Sequence, residues 1–157
     1  MRILKLGLGL VITGALLAAC APNVSDPVAS SMKTEMAAPV LTIITQANPE
    51  TQLMALILSK AASDQGNTVR ILLCDTGGDL ALKSPPDVLQ KPLAPKNISP
   101  AGLLTKLIEA GVQVDVCAIY LPNRDFGKEA LRDNVGVATP ADIAKFYTQA
   151  DTKVLSF

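Results

Sequence analysis

Three cysteines, Cys20, Cys74 and Cys117, hold most of the covalent chemistry this sequence offers. The thiolate is the reactive form, and its abundance follows the charge and burial around it. Histidine is absent. That excludes a Ser-His-Asp triad, a Cys-His nucleophile pair and any His-containing zinc site, and no metal is expected. Cations near a thiol favour its ionisation, and Arg124 and Lys128 follow Cys117 closely.

Two short motifs compete for the segment after Cys74. Asp75-Thr76-Gly77 is the tripeptide of aspartic proteases, where two carboxylates share a proton. Those enzymes are β-rich, and the helix-rich pattern here opposes that reading. Gly77-Gly78 invites comparison with a phosphate loop, but no Gly-Lys-Ser/Thr follows. The 14 basic and 14 acidic side chains cancel, and aromatics are 3%, so a nucleic-acid groove is not expected. No cofactor is expected either. The 157 residues suit one domain of ordinary size, and 49% apolar residues suffice for a core.

Cys20 is set apart by its surroundings. Arg2 and Lys5 precede an uncharged, mostly apolar run at 6–19, too short for a membrane span of roughly 20 residues. It suits the apolar region of a secretory signal. The run ends Leu17-Ala18-Ala19-Cys20, which resembles the bacterial lipobox. The expectation is a leader at 1–19, cleavage before a lipidated Cys20, and a protein anchored on the periplasmic face of a bacterial membrane. Ala21, where Asp would signal inner-membrane retention, points to the outer membrane. The alternative is an ordinary signal peptide with a chance cysteine. Residues 20–39 are small and polar and read as a flexible tether, with a reach of roughly 25 Å. The competing expectation is a short docked helix around 32–36.

The folded part, 40–157, alternates strand and helix. Residues 40–45 form a β-branched apolar run, and Asn48-Pro49 opens a helix that Gly66 stops. Leu53, Leu56, Ile57 and Ala61 make its apolar stripe. A second strand is expected at 68–74. Ser99-Pro100 opens a helix with Leu103, Leu104, Leu107 and Ile108 inward, stopped by Gly111. Strands at 112–120, 135–138 and 154–155, a short helix at 125–132, and a helix after Thr139-Pro140 that buries Ile143, Phe146 and Tyr147 complete the pattern. This order implies a mainly parallel sheet with helices on both faces. All strand C-terminal ends then share one edge, where ligands bind in such sheets. Cys74 and Cys117 fall at that edge. So does the start of a 24-residue, proline-rich loop at 75–98, which is either a functional lid or a passive excursion.

Residues two apart in a strand share a face. Arg70, Leu72 and Cys74 therefore lie together, as do Gln113, Asp115 and Cys117. Charged residues are unusual on a helix-covered face. The face is incompletely covered or met by another subunit, or these positions lie at a wet rim. If the strands are neighbours, an Arg70–Asp115 pair reduces the cost of burial.

The segment GVQVDVCAIYLPNRDFGKEAL resembles the DsrE/DsrF-like (YchN-like) sulfur-relay family in Gly111, Val112, Val114, Val116, Cys117 and, loosely, Arg124. The likeness extends over 40–157. It implies a three-layer α/β/α sandwich around a mainly parallel five-stranded sheet, assembly as a homo-oligomer, and a persulfide carried at Cys117, the candidate catalytic residue. Cys74, Arg124, Lys128, Gly77 and Gly78 are candidate supporting residues, the glycines by letting the loop backbone approach a bound group. The chain departs from the family in its turn, Leu121-Pro122-Asn123-Arg124, and in the export signal. Asp115, on the face of Cys117, opposes its ionisation. Three fates stay open for Cys74 and Cys117: inert buried thiols, a redox-active or sulfur-bearing Cys117, or a structural disulfide. The expected function is thiol or persulfide exchange with a protein thiol or persulfide partner. The alternative is a non-catalytic binding or assembly module with the same fold.

Overall fold

The computed structural model describes residues 37–157. The expected leader, Cys20 and the expected tether as far as residue 36 lie outside the described residues. Five strands, β1 (Val40–Ile44), β2 (Val69–Leu73), β3 (Gln113–Cys117), β4 (Val135–Ala138) and β5 (Lys153–Ser156), form one sheet in the order β4-β3-β2-β1-β5. Every pairing is parallel. Four helices, α1 (Pro49–Asp64), α2 (Asp87–Gln90), α3 (Pro100–Glu109) and α4 (Pro140–Tyr147), lie between them. The chain steps one way across the sheet from β1 to β4, and α4 then carries it back to the far side of β1. With right-handed crossovers, that reversal sends α1 and α3 to one face and α4 to the other. The expected α/β/α layering is present.

The two faces are unequal. On the first, Leu53 and Leu56 of α1 and Leu103, Leu104 and Leu107 of α3 bury Ile44, Ile71, Leu73, Val114 and Val116. On the second, Leu41, Leu72 and Ala138 are buried beneath Ile143 and Phe146 of α4. No residue of α4 is itself buried, so a short helix covers this face incompletely.

The helix signals act as their chemistry dictates. The Asn48 Oδ1 accepts from the backbone of Glu50 and Thr51 at 2.9 and 3.0 Å. Ser99 Oγ accepts from Gly102 N at 3.1 Å. Gly66 and Gly111 end α1 and α3 at φ +85° and +84°, where a side chain is strained. Thr139 and Asp142 complete a capping box at α4.

Several local expectations are corrected. Tyr147 of α4 is 50% exposed rather than buried; in α1, Ala61 is exposed and Ile57 is 39% exposed. Polar Ser59 takes an inward position instead, with its hydroxyl bonded to Thr42 Oγ1 at 2.9 Å and Ala55 O at 2.8 Å. The third strand stops at Cys117, because the chain turns and Tyr120 N donates to Cys117 O at 2.9 Å. The helix expected at 125–132 is replaced by 3₁₀ turns at Leu121–Asn123 and Lys128–Ala130. Pro122 and Gly127 break the run, and it has no apolar stripe to bury. Finally, the 75–98 segment is neither lid nor excursion. It opens with a 3₁₀ helix, Asp75–Ala81, and puts Leu80, Ala81 and Leu89 into the main core.

Candidate functional site

Register decides where the cysteines meet. Leu73 pairs with Val116, so Cys74 and Cys117 are the next residues outward on adjacent strands. Their Cα atoms are 5.3 Å apart, within the ~4.4–6.8 Å a disulfide spans. The sulfurs are in bonding contact, and the two form a disulfide-capable pair. Both residues are half-buried rather than sealed in the core. The pair opens into a cavity of about 890 Å³ between the strand ends and α4. Its wall is mostly apolar, with Leu72, Ile119, Ala138, Ile143 and Tyr147 contributing.

Arg124 is the cation in that wall. Its Nε lies 3.7 Å from Asp79 Oδ1, and its Nη2 donates to Asp75 O at 3.2 Å. Its guanidinium also stacks 4.7 Å from the centre of the Tyr120 ring. Tyr120 is buried and donates its hydroxyl proton to Asp79 Oδ1 at 2.8 Å. Burial first, then the hydrogen bond and charge of Asp79, push the phenol well above its ordinary range, against the pull of Arg124. It is therefore a neutral clamp at physiological pH. Asp75, which follows Cys74, adopts a left-handed backbone at φ 47°, a conformation Asp tolerates better than most residues. The turn it makes presents its carbonyl to Arg124.

Beneath the cysteines lies a buried ion pair. Arg70 Nε donates to Asp115 Oδ2 at 2.9 Å, and its Nη2 is 2.8 Å from the same oxygen. Gln113 Nε2 donates to that oxygen at 3.1 Å. Phe146 of α4 packs 5.9 Å from the guanidinium. The Asp115 charge is thus answered by Arg70, which weakens its opposition to a thiolate at Cys117. Gly136 of β4 pairs with Asp115, and any Cβ there would collide with Asp115 Oδ1.

The structure sorts the sequence candidates. Cys74, Cys117 and Arg124 share the cavity. Lys128 is exposed and lies outside its lining. Gly77 and Gly78 are buried and do not line it; the role expected for them is corrected. A Cβ on Gly77 would strike Ile44 O, and one on Gly78 would strike the Tyr120 ring. Both glycines therefore serve packing beneath the site. Asp79, Tyr120 and Ile119 were not foreseen. Tyr120 was hidden because Ala118-Ile119-Tyr120 continues the apolar strand pattern, and Asp79 lies in a segment without periodicity.

In sheets of this kind, ligands bind at the strand C-terminal edge, where successive connections leave to opposite faces. Here the chain leaves β4 into α4 on the face opposite α1 and α3, and the cavity lies at that edge, over the ends of β2, β3 and β4. At β1 and β5 the edge is tied, with Phe157 O accepting from Thr45 N at 2.8 Å and from Thr45 Oγ1 at 2.9 Å.

Comparison with known proteins agrees with this architecture. None of the curated proteins compared with the chain matches it. Among solved structures, the crystal structure of the ychN protein from E. coli superposes with a TM-score of 0.62 at 23% identity. The match covers 78% of this chain and 100% of that one, and it establishes the shared fold. A profile of the DsrE/DsrF-like family matches residues 39–157, from the residue before β1 to the end of the sheet. The chain belongs to the DsrE/DsrF-like family.

Proposed function

We propose that the domain exchanges sulfur through Cys117, accepting it from a disulfide or persulfide partner, with Cys74 as the second thiol of the exchange. One observation carries this: two half-buried cysteines stand opposite each other where adjacent strands end, and both open into one cavity. Arg124, in the same wall, favours the thiolate, and Arg70 answers the Asp115 charge on the strand face that carries Cys117. The family is one implicated in sulfur relay, which supports the same chemistry. The lipobox-like Cys20 supports a place for it on the periplasmic face of a bacterial membrane, with a protein thiol or persulfide as partner.

The test is alkylation of the reduced full-length chain, comparing Cys74→Ala with Cys117→Ala. Cys117 should react faster than Cys74, and both faster in the native protein than an inert buried thiol allows. Oxidised glutathione should close the wild-type pair. If neither thiol reacts until the protein is denatured, the exchange chemistry is lost and the assembly-module alternative takes its place.

A further inference from the structure

A cysteine that stores sulfur for onward delivery must be kept away from other thiols. Cys117 is not: Cys74 faces it at a Cα separation of 5.3 Å. We infer that the domain does not hold a persulfide on Cys117 but discharges it as hydrosulfide, acting as a persulfide-reducing couple. The inference rests on the sulfur-accepting role proposed for Cys117.

The chemistry balances in two steps. The Cys117 thiolate attacks the outer sulfur of a low-molecular-weight persulfide; the donor's S–S bond breaks and its thiolate departs. The Cys74 thiolate then attacks Cys117 Sγ. A Cys74–Cys117 bond forms, the bond from Cys117 Sγ to the outer sulfur breaks, and that sulfur leaves with the electron pair and its proton as hydrosulfide. The outer sulfur is reduced and the two cysteine sulfurs are oxidised. A dithiol reductant restores both thiols by exchange.

Two features favour the second step. Cys117 ends β3 and Cys74 directly follows β2, its hydrogen-bonded parallel neighbour, so little chain entropy is lost in bringing them together. Both cysteines are only half-buried and line the cavity, so solvent-borne reagents reach the pair. A small anionic leaving group therefore has an exit.

The experiment uses the reduced, desalted full-length chain, with glutathione persulfide as probe and no added reductant. Sulfide release and intact mass are read together. Wild type should release sulfide in proportion to the probe consumed and lose both free thiols to the internal disulfide. Cys74→Ala and Cys74→Ser should release none and keep the mass of one added sulfur on Cys117. Wild type that keeps the added sulfur with Cys74 still free would overturn the inference while leaving sulfur acceptance intact. Equal sulfide release from wild type and both Cys74 variants would overturn it too. If Cys117 gains no sulfur in any of the three proteins, the proposed function fails, and this inference with it.

Discussion

Arg70 reaches diagonally from β2 to Asp115 on β3, and the two meet at 2.8 Å with each side chain more than nine-tenths buried. The pair sits on the thinly covered face, directly under the cysteines, with Phe146 over the guanidinium. A charge buried this way is tolerated only while its partner remains. Arg70→Met should therefore cost ~3–5 kcal/mol by leaving Asp115 unpaired. The same variant should slow alkylation of Cys117, because the uncompensated carboxylate opposes its ionisation. The double variant Arg70→Met, Asp115→Leu should recover most of both losses. Urea denaturation and alkylation rates, measured on all three proteins, check this; a double variant no better than the single would refute it.

Gly78 should be intolerant of even one methyl group. Its missing side chain is the space that the Tyr120 ring fills. Gly78→Ala should destabilise the domain by ~1–3 kcal/mol, the usual range for overpacking. It should also loosen Arg124, whose stacking on Tyr120 depends on where the ring sits. Thermal melts report the first effect and thiol alkylation the second. A neutral Gly78→Ala would mean that the ring moves freely and does not position Arg124.

The capping box gives a pH dependence of known sign. Hydrogen bonds from the Thr139 hydroxyl and then its backbone N–H hold the Asp142 carboxyl below its ordinary value. A group lowered in the folded state stabilises fully above its unfolded value of ~3.9, and that contribution vanishes as pH falls through the lower folded value. Asp142→Asn should be less stable than wild type at neutral pH, and the difference should close in acid. Chemical denaturation across the acid range is the measurement. A difference that stays constant with pH would show that the carboxylate is not what caps α4.

Anchoring at Cys20 is tested apart from the domain. Cys20→Ser should leave the chain unprocessed or release it from membranes, while alkylation of Cys117 stays unchanged. Fractionation and intact mass of the native protein decide the matter. A processed Cys20→Ser chain that still sediments with membranes would exclude lipid as the anchor.

What could be read from the residues, and what could not, divides along physical lines. Apolar runs and caps are local, so β1 to β5, α1, α3 and α4 were legible. So were Arg70 and Asp115 as an anomaly, since strand period alone places them on the face of Cys74 and Cys117. Their pairing required adjacency of β2 and β3, and the meeting of the cysteines required the register of those strands as well. Neither is a local property. Leu80 and Leu89 reach the core from a segment without period, so their burial was invisible. Ser59 occupies a core-facing position because Thr42 offers it a partner across a helix–sheet contact, which no pattern within α1 reveals. Gly77 and Gly78 looked permissive toward a ligand; only the packing shows that Ile44 and Tyr120 already use that space.

The place of β5 has a consequence for how the domain is made. β5 pairs with β1, Val40 against Lys153 and Ile43 against Ser156, and Lys153 N also donates to Pro39 O at 2.8 Å. Among the described strands, β1 is the first to leave a ribosome, and it therefore waits for β5. Until residues 153–157 arrive, one side of the segment VLTII is an unpaired edge of the kind that templates aggregation. Contacts this distant in sequence also slow folding, because a long loop must close before they form. Nascent chains stalled before residue 150 should thus bind chaperones that recognise extended apolar strands, and chains extended past residue 157 should release them.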